Sequence, residues 1–372
     1  MGRVERGFGL MSASPQPNVS QRLVGLAAPV QWATLAVFSG LLAAAFKWSQ
    51  LPAAFLLGPM IAGIVIGANG GMIRVALPPY YVAQAIVGCL IARAITPAII
   101  ATFLDHGLLF LAFIAAVIAA SSALGWLLSR SGTLPGSTAI WGSSPGAASA
   151  MMIMAEAYGA DAQTVALMQY LRVVFVAAAA SLIAGLWIGS PAAAHETVWL
   201  APVHWKALAE TVALAGLGAL AGRLLGVPAG PLLTPLAAGA VLNVAGLIEI
   251  ELPQWLLVAS YALIGWSIGL RFTPQILHHA RRALPQIIFS ILALIVFCWL
   301  LAFALTEAVG VDPLTAYLAT CPGGMDTVAI IASSSPTVDM SFVMAMQTVR
   351  FIAVVLFGPA LARLLADRIG EP

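Results

Sequence analysis

The chain has 372 residues, 61% of them hydrophobic and only 8% charged, with a net charge of +2. Soluble domains carry about 25% charged residues, so this composition cannot cover a water-facing surface and points to an integral membrane protein whose first partner is the lipid bilayer. The small charge, without a basic stripe, recognition-helix pattern or zinc-ligand spacing, gives no support for a nucleic-acid partner, and no Walker A sequence is present to drive an ATP motor.

Residues 1–27 form a polar tail with Arg3, Arg6 and Arg22. It lacks the apolar stretch and small-residue cleavage site of a secretory signal and is expected to be cytosolic. Six apolar segments follow, at about 29–48, 51–68, 78–100, 107–129, 134–158 and 162–188. Six more occupy about 207–224, 228–246, 253–275, 283–306, 314–335 and 340–365. Runs such as 107–128 and 283–306 are long enough to cross a hydrocarbon core of roughly 30 Å as helices. They lack the period-2 alternation of barrel strands, so the expected class is all-α and polytopic.

The two sets of segments are copies. Pro52 and Pro228, like Pro59 and Pro235, lie 176 residues apart, and Pro145 and Pro322 lie 177 apart. Asp161, Gln169 and Arg172 reappear 178 residues later as Asp339, Gln347 and Arg350. A near-constant offset across independent landmarks is the mark of an internal duplication, with a first membrane repeat over 28–190 and a second over 205–368.

Charge placement sets the expected topology, because Lys and Arg in short loops stay cytoplasmic. If the fifth segment of each repeat crosses, there are twelve spans and Arg281 and Arg282 fall outside. If it only enters and returns, there are ten spans, and an odd five per half inverts the second repeat. Arg22, Arg74, Arg130, Arg223, Arg281, Arg282, Arg363 and Arg368 then all fall inside, with only Lys47 out of place. Inverted repeats with cytoplasmic termini in a bacterial-type inner membrane are therefore the expectation, each repeat carrying a Pro-Gly re-entrant or broken helix.

That Pro-Gly break is where chemistry is expected. Proline removes a helical donor and glycine admits positive φ, so Pro145-Gly146 and Pro322-Gly323-Gly324 should interrupt their helices. The helices restarting at Ala147 and Met325 would offer free N–H groups to an anion. Counting from Asp161, Arg172 lies about 16 Å along its helix, near the bilayer midplane, and Arg350 does the same from Asp339. Arginine at that depth must face protein or a watery cavity and is a functional candidate by default. Gln169 and Gln347, three residues earlier, share the same helical face. The competing expectation is that each guanidinium satisfies carbonyls freed at the break. Asp326 follows the second break where the first copy has Ser149, and this carboxylate is the candidate for binding a coupling proton or monovalent cation.

Other residues suggest less. Arg93 and Arg271 sit near segment ends and are expected to reach an interface. Segments 51–68 and 228–246, with Gly63, Gly67 and Gly239, read as short, closely packed scaffold helices. Cys89, Cys298 and Cys321 are odd in number and far apart, implying no disulfide framework. The five histidines lack ligand spacing, so no metal, no cofactor and no enzymatic activity are expected.

Leu56-Leu57-Gly58-Pro59-Met60, Ser144-Pro145-Gly146, Asp161, Gln169, Arg172 and their second-half counterparts resemble the membrane AbrB-like family, over roughly residues 25–368. That family is itself defined by such a duplication, and its members also carry transcriptional-regulator and ammonia monooxygenase labels. The resemblance implies a membrane protein linked to regulation of gene expression. The first copy has Ala147 where a Pro-Gly-Gly form is usual, so equal ligand binding by both breaks is not implied. The residues themselves point to a secondary transporter, in which Pro145, Gly146, Gln169, Arg172, Pro322, Gly323, Gly324, Gln347 and Arg350 hold a small anionic, carboxylate-type solute. A membrane sensor acting through a partner, a membrane oxygenase and a homodimeric assembly are the open alternatives.

Overall fold

The computed structural model describes residues 26–49, 53–95, 107–132, 134, 137–144, 151, 155, 158–187, 203–226, 229–323 and 325–367. Among these residues the fold is entirely helical. The first repeat contributes α1 (Ala28–Trp48), α2 (Ala54–Ala68), α3 (Leu77–Ala94), α4 (Gly107–Arg130), α5 (Thr138–Ser143) and α6 (Ala162–Trp187). The second contributes α7 (Trp205–Leu224), α8 (Gly230–Val244), α9 (Gln254–Gly269), α10 (Pro274–His279), α11 (Leu284–Val309), α12 (Pro313–Thr320), α13 (Met325–Ser333) and α14 (Met340–Asp367).

Five of these helices, α1, α4, α6, α7 and α11, are long and apolar enough to cross a membrane, and α2, α8 and α9 are shorter apolar helices. Their outward faces carry large apolar side chains, among them Leu108 on α4, Phe289 and Phe303 on α11 and Leu217 on α7, while Gln169, Arg172, Gln347 and Arg350 are buried. Lipid rewards that arrangement and water does not, because hydrocarbon cannot satisfy polar groups. The chain is a helical membrane protein.

The duplication is visible at the level of single dihedrals. Ala53 and Ala229 precede α2 and α8 in the left-handed region, at φ 57° and 53°, and are the two non-glycine residues with positive φ among those described. Both helices are 15 residues long and carry an internal proline, Pro59 or Pro235. An α-helix of that length spans about 22 Å.

One difference from the sequence-based expectation lies at 253–275, read there as a single segment. The chain instead leaves α9 at Gly269 and starts a separate short helix, α10. Thr273 caps it by accepting the Ile276 N–H, and Pro274 occupies its first turn. Proline suits a helix start and not an interior, so Thr-Pro marks a new beginning.

Packing interleaves the repeats. Helix α2 of the first repeat packs on α9 of the second, and α8 of the second packs on α3 of the first. The contacts are reciprocal. A Cβ on Gly88 would meet the Leu232 carbonyl, and one on Gly265 would meet the Leu56 carbonyl; both members of each pair are repeat equivalents. Gly239 faces Ala92 as Gly63 faces Gly269. Close backbone approach through small residues is how helices associate where no hydrophobic drive exists between them. The remaining helices, α4–α6 and α11–α14, pack among themselves, α13 and α14 also touch α3, and α6 also touches α10 and α2.

Equivalent helices α4 and α11 pack on each other head to tail. Ser131, just after α4, donates to the Gln286 Oε1 near the start of α11 at 3.1 Å. Leu128 shares a cluster with Ile287, and Val117 shares one with Leu294 and Cys298. The end of one copy thus meets the beginning of the other.

Candidate functional site

Asp312 starts the second break element by accepting the Leu314 and Thr315 N–H groups, and Pro313 occupies the first turn of α12. Eight residues later the helix stops at Cys321-Pro322-Gly323, all buried, and α13 begins at Met325. The chain then returns. The Asp339 N–H donates to the Thr315 hydroxyl at 3.1 Å, closing the element at its base. Asp339 also caps α14, accepting the Phe342 N–H at 3.0 Å.

The first repeat is closed in the same way, the Asp161 N–H donating to the Thr138 hydroxyl at 3.1 Å. Asp161 caps α6 through the Gln163 and Thr164 N–H groups. Pro145 and Gly146, like Gly324 and the restart at Ala147, lie outside the described residues. Asp326 belongs to α13, but its side chain also lies outside them. Asp161 and Asp339, from which the sequence counts the depth of the arginines, are thus helix caps, and Thr138 and Thr315, overlooked there, close the hairpins. Their common offset of 177 was the available signal.

Arg172 and Arg350 come to the breaks, and their partners are carbonyls. Arg172 Nη1 donates to the Ser143 and Ser144 carbonyls at 3.1 and 3.2 Å, and its Nη2 donates to the Gln169 Oε1 at 2.5 Å. Gln169 Nε2 donates to the Trp141 and Ser144 carbonyls at 3.2 and 3.0 Å. In the second repeat Arg350 donates to the Cys321 and Gly323 carbonyls, the latter at 3.1 Å. Gln347 Nε2 donates to the Leu318 and Cys321 carbonyls at 2.6 and 3.1 Å. Each Gln/Arg pair therefore caps the carbonyl end of a half-helix, where the orphan acceptors and the negative dipole end lie. The competing expectation about the arginines describes these contacts directly.

Capping does not exhaust the arginines. Both are buried, the Nε of each has no hydrogen-bond partner, and no carboxylate pairs with either among the described residues. The two arginine caps also lie near one another. Arg172 and Arg350 lie within electrostatic reach of one another, with Cys298 of α11 beside both. A Cβ on Gly323 would sit 3.1 Å from Val176, one turn beyond Arg172 on α6. Thr320 donates to the Cys298 carbonyl at 3.3 Å, tying α12 to α11. Cys298 entered the sequence reading only as a thiol without a disulfide partner; its place beside the arginines is a tertiary fact. Arg93 and Arg271 stay outside this centre, and Arg271 instead lies over the Tyr170 ring at 4.9 Å.

At the base of the first hairpin, outside the membrane-spanning helices, the Asp161 carboxylate meets His279 Nε2 at 2.7 Å. Burial raises the Asp161 pKa, but hydrogen bonds from Thr164 and His279 and the charge of His279 outweigh it and leave it below 3.8. A depressed carboxylate contributes stability that is present above its unfolded value and is lost as pH falls through the folded one. Acidifying below about 4 should therefore weaken this cap, and Asp161→Asn should flatten that part of the profile. Thermal unfolding of the purified protein across pH 2–6 (roughly the range over which carboxylates titrate) checks it.

A family model described as "Transition state regulatory protein AbrB" matches residues 55–366. The chain belongs to the AbrB family. Within the family, it is 48% identical over 339 residues to a protein of Escherichia coli (strain K12) named "Putative regulator AbrB", covering 91% of this chain and 97% of that one. It is 28% identical over 313 residues to YhjN of Bacillus subtilis (strain 168), an uncharacterized protein, covering 77% and 79% respectively. No solved structure matches the chain. The family assignment agrees with the resemblance read from the Gly-Pro, Pro-Gly and Gln-x-x-Arg landmarks.

Proposed function

We propose that this AbrB-family protein is a secondary transporter of a small carboxylate-type anion, coupled to a proton or monovalent cation, in a bacterial-type inner membrane. It is not an enzyme in this reading and takes no cofactor. Ten spans form two inverted halves with cytoplasmic termini, and each half carries a re-entrant hairpin. Three observations support that topology: hairpins closed by Thr138 and Thr315, the head-to-tail packing of α4 on α11, and the inward clustering of arginines. The limbs of the second hairpin, eight and nine residues long, reach about 12–13 Å, close to the middle of a roughly 30 Å core.

The observation that carries the function is the pair of buried, mutually interacting guanidinium charges, without a carboxylate partner among the described residues. Two like charges held in a low dielectric favour an anion between them, and broken helices at mid-membrane mark the substrate site in inverted-repeat transporters. Asp326, at the start of α13, is the candidate for the coupling ion.

Uptake of radiolabelled lactate, malate and succinate into proteoliposomes tests the proposal. Arg172→Lys and Arg350→Lys keep the charge but lose the planar fork, and each should reduce uptake by about tenfold. Undiminished uptake in both variants would remove the arginines from the binding site. The name of the Escherichia coli relative favours a second reading, a membrane sensor that regulates through a partner. No solute flux, together with a stable cytosolic partner in a pull-down, would select it.

A further inference from the structure

The two copies of the Gln/Arg cap differ by one hydrogen bond, and the difference falls on buried atoms. In the first repeat Arg172 Nη2 donates to the Gln169 Oε1 at 2.5 Å, so the glutamine is satisfied at both ends. In the second, Arg350 Nη2 turns to the Gly323 carbonyl at 3.1 Å. Gln347 Oε1 is left without a partner, although Gln347 has no exposed surface. Like Arg172 Nε in the first repeat, Arg350 Nε is unpartnered.

These two vacant groups are neighbours. Gln347 Nε2 and Arg350 Nη1 both donate to one atom, the Cys321 carbonyl oxygen, so the free acceptor and the free donor flank the same point of the break. The second repeat adds Tyr317, whose hydroxyl is also buried without a partner, where the first has Ile140. Native interiors leave few buried polar atoms unsatisfied; the first cap also leaves Arg172 Nε, Trp141 Nε1 and Ser143 Oγ unpartnered, but of the two glutamine oxygens it is the second copy's that stands open.

We infer that the second hairpin is the ligand-reading one, and that it recognises a carboxylate bearing a hydrogen-bond donor, hydroxyl or ammonium, on the adjacent carbon. Arg350 Nε addresses the carboxylate oxygen and Gln347 Oε1 accepts the neighbouring donor. In the first cap the Gln169 oxygen is already taken by Arg172, and this glutamine holds its hairpin in shape. This deepens the transporter reading and rests on it.

The test is equilibrium binding to the full-length protein in nanodiscs. Propionate, lactate and alanine differ only at C2, as do succinate, malate and aspartate. Lactate or alanine should bind at least about tenfold more tightly than propionate, or malate or aspartate than succinate, because a site with a buried acceptor rejects the analogue that leaves it unpaired. Hydroxyl and ammonium arms separate the two donor chemistries. Gln347→Leu should abolish the preference while Gln169→Leu keeps it; Gln347→Asn, which retains the amide, covers failure of the leucine variant to fold. Equal binding within both triplets, or a preference that depends on Gln169, overturns the inference and leaves the transporter reading standing. If none of the six carboxylates binds, the transporter reading falls and takes this inference with it.

Discussion

Arg172→Ala is expected to lower the stability of the folded protein by about 3–5 kcal/mol, and Arg350→Ala by somewhat less. A buried acceptor stripped of its donor costs about 1–3 kcal/mol, and the two arginines hold different numbers of acceptors. Arg172 serves the Ser143 and Ser144 carbonyls and the Gln169 Oε1, whereas Arg350 serves the Cys321 and Gly323 carbonyls. The break carbonyls have no water to turn to in a bilayer interior, and proline and glycine prevent the helix from closing over them. Removing a buried positive charge recovers some desolvation energy, which keeps the loss below the sum of its parts. Midpoints of thermal or SDS unfolding of purified protein in detergent would measure the effect. Two alanine variants as stable as the wild type would mean that the carbonyl contacts do not hold the hairpins, leaving ligand binding as the arginines' main role.

Gly265→Leu should be at least as damaging, because its neighbours are backbone. A Cβ there would lie 2.7 Å from the Leu56 carbonyl oxygen and 3.0 Å from the Met60 nitrogen, so α9 must retreat from α2 along the seam joining the two repeats. Overpacking a well-filled core typically costs about 1–3 kcal/mol, and a leucine against an unyielding backbone belongs at or above the top of that range. Gly265→Ala should fall between leucine and wild type. Gly216→Ala on α7, whose added Cβ meets nothing within 4 Å, is the control and should be neutral or slightly stabilising, since alanine is the better helix former. Expression level and size-exclusion profile in detergent read the result. A monodisperse, fully stable Gly265→Leu protein would mean that this seam is looser than its geometry indicates.

The repeat seam and the arginine caps were legible in the sequence to different degrees. The Leu-Pro and Gly-Pro landmarks at constant offset revealed two equivalent scaffold helices, and the structure places α2 and α8 there with matching lengths and matching left-handed alanines. The chain order did not reveal that α2 would pack on the other copy's third helix. Exchange of partners between copies changes no local periodicity, and only the facing glycines carry a trace of it. The helix boundary at Thr273 was missed because its apolar neighbours mask a cap-and-proline start.

What the sequence determined by itself is the class of molecule and the location of its cost. So few charges can only be stable in lipid, and prolines and arginines deep in apolar segments must be answered by something polar. Tertiary structure alone decided what answers them. The guanidiniums reach carbonyls about 27–29 residues away, and one copy satisfies its glutamine oxygen while the other leaves it open. A hydrogen bond depends on distances of a few tenths of an ångström, and those are set by how two whole repeats settle against each other. Two copies with the same Gln-x-x-Arg letters can therefore differ in which partner the arginine takes.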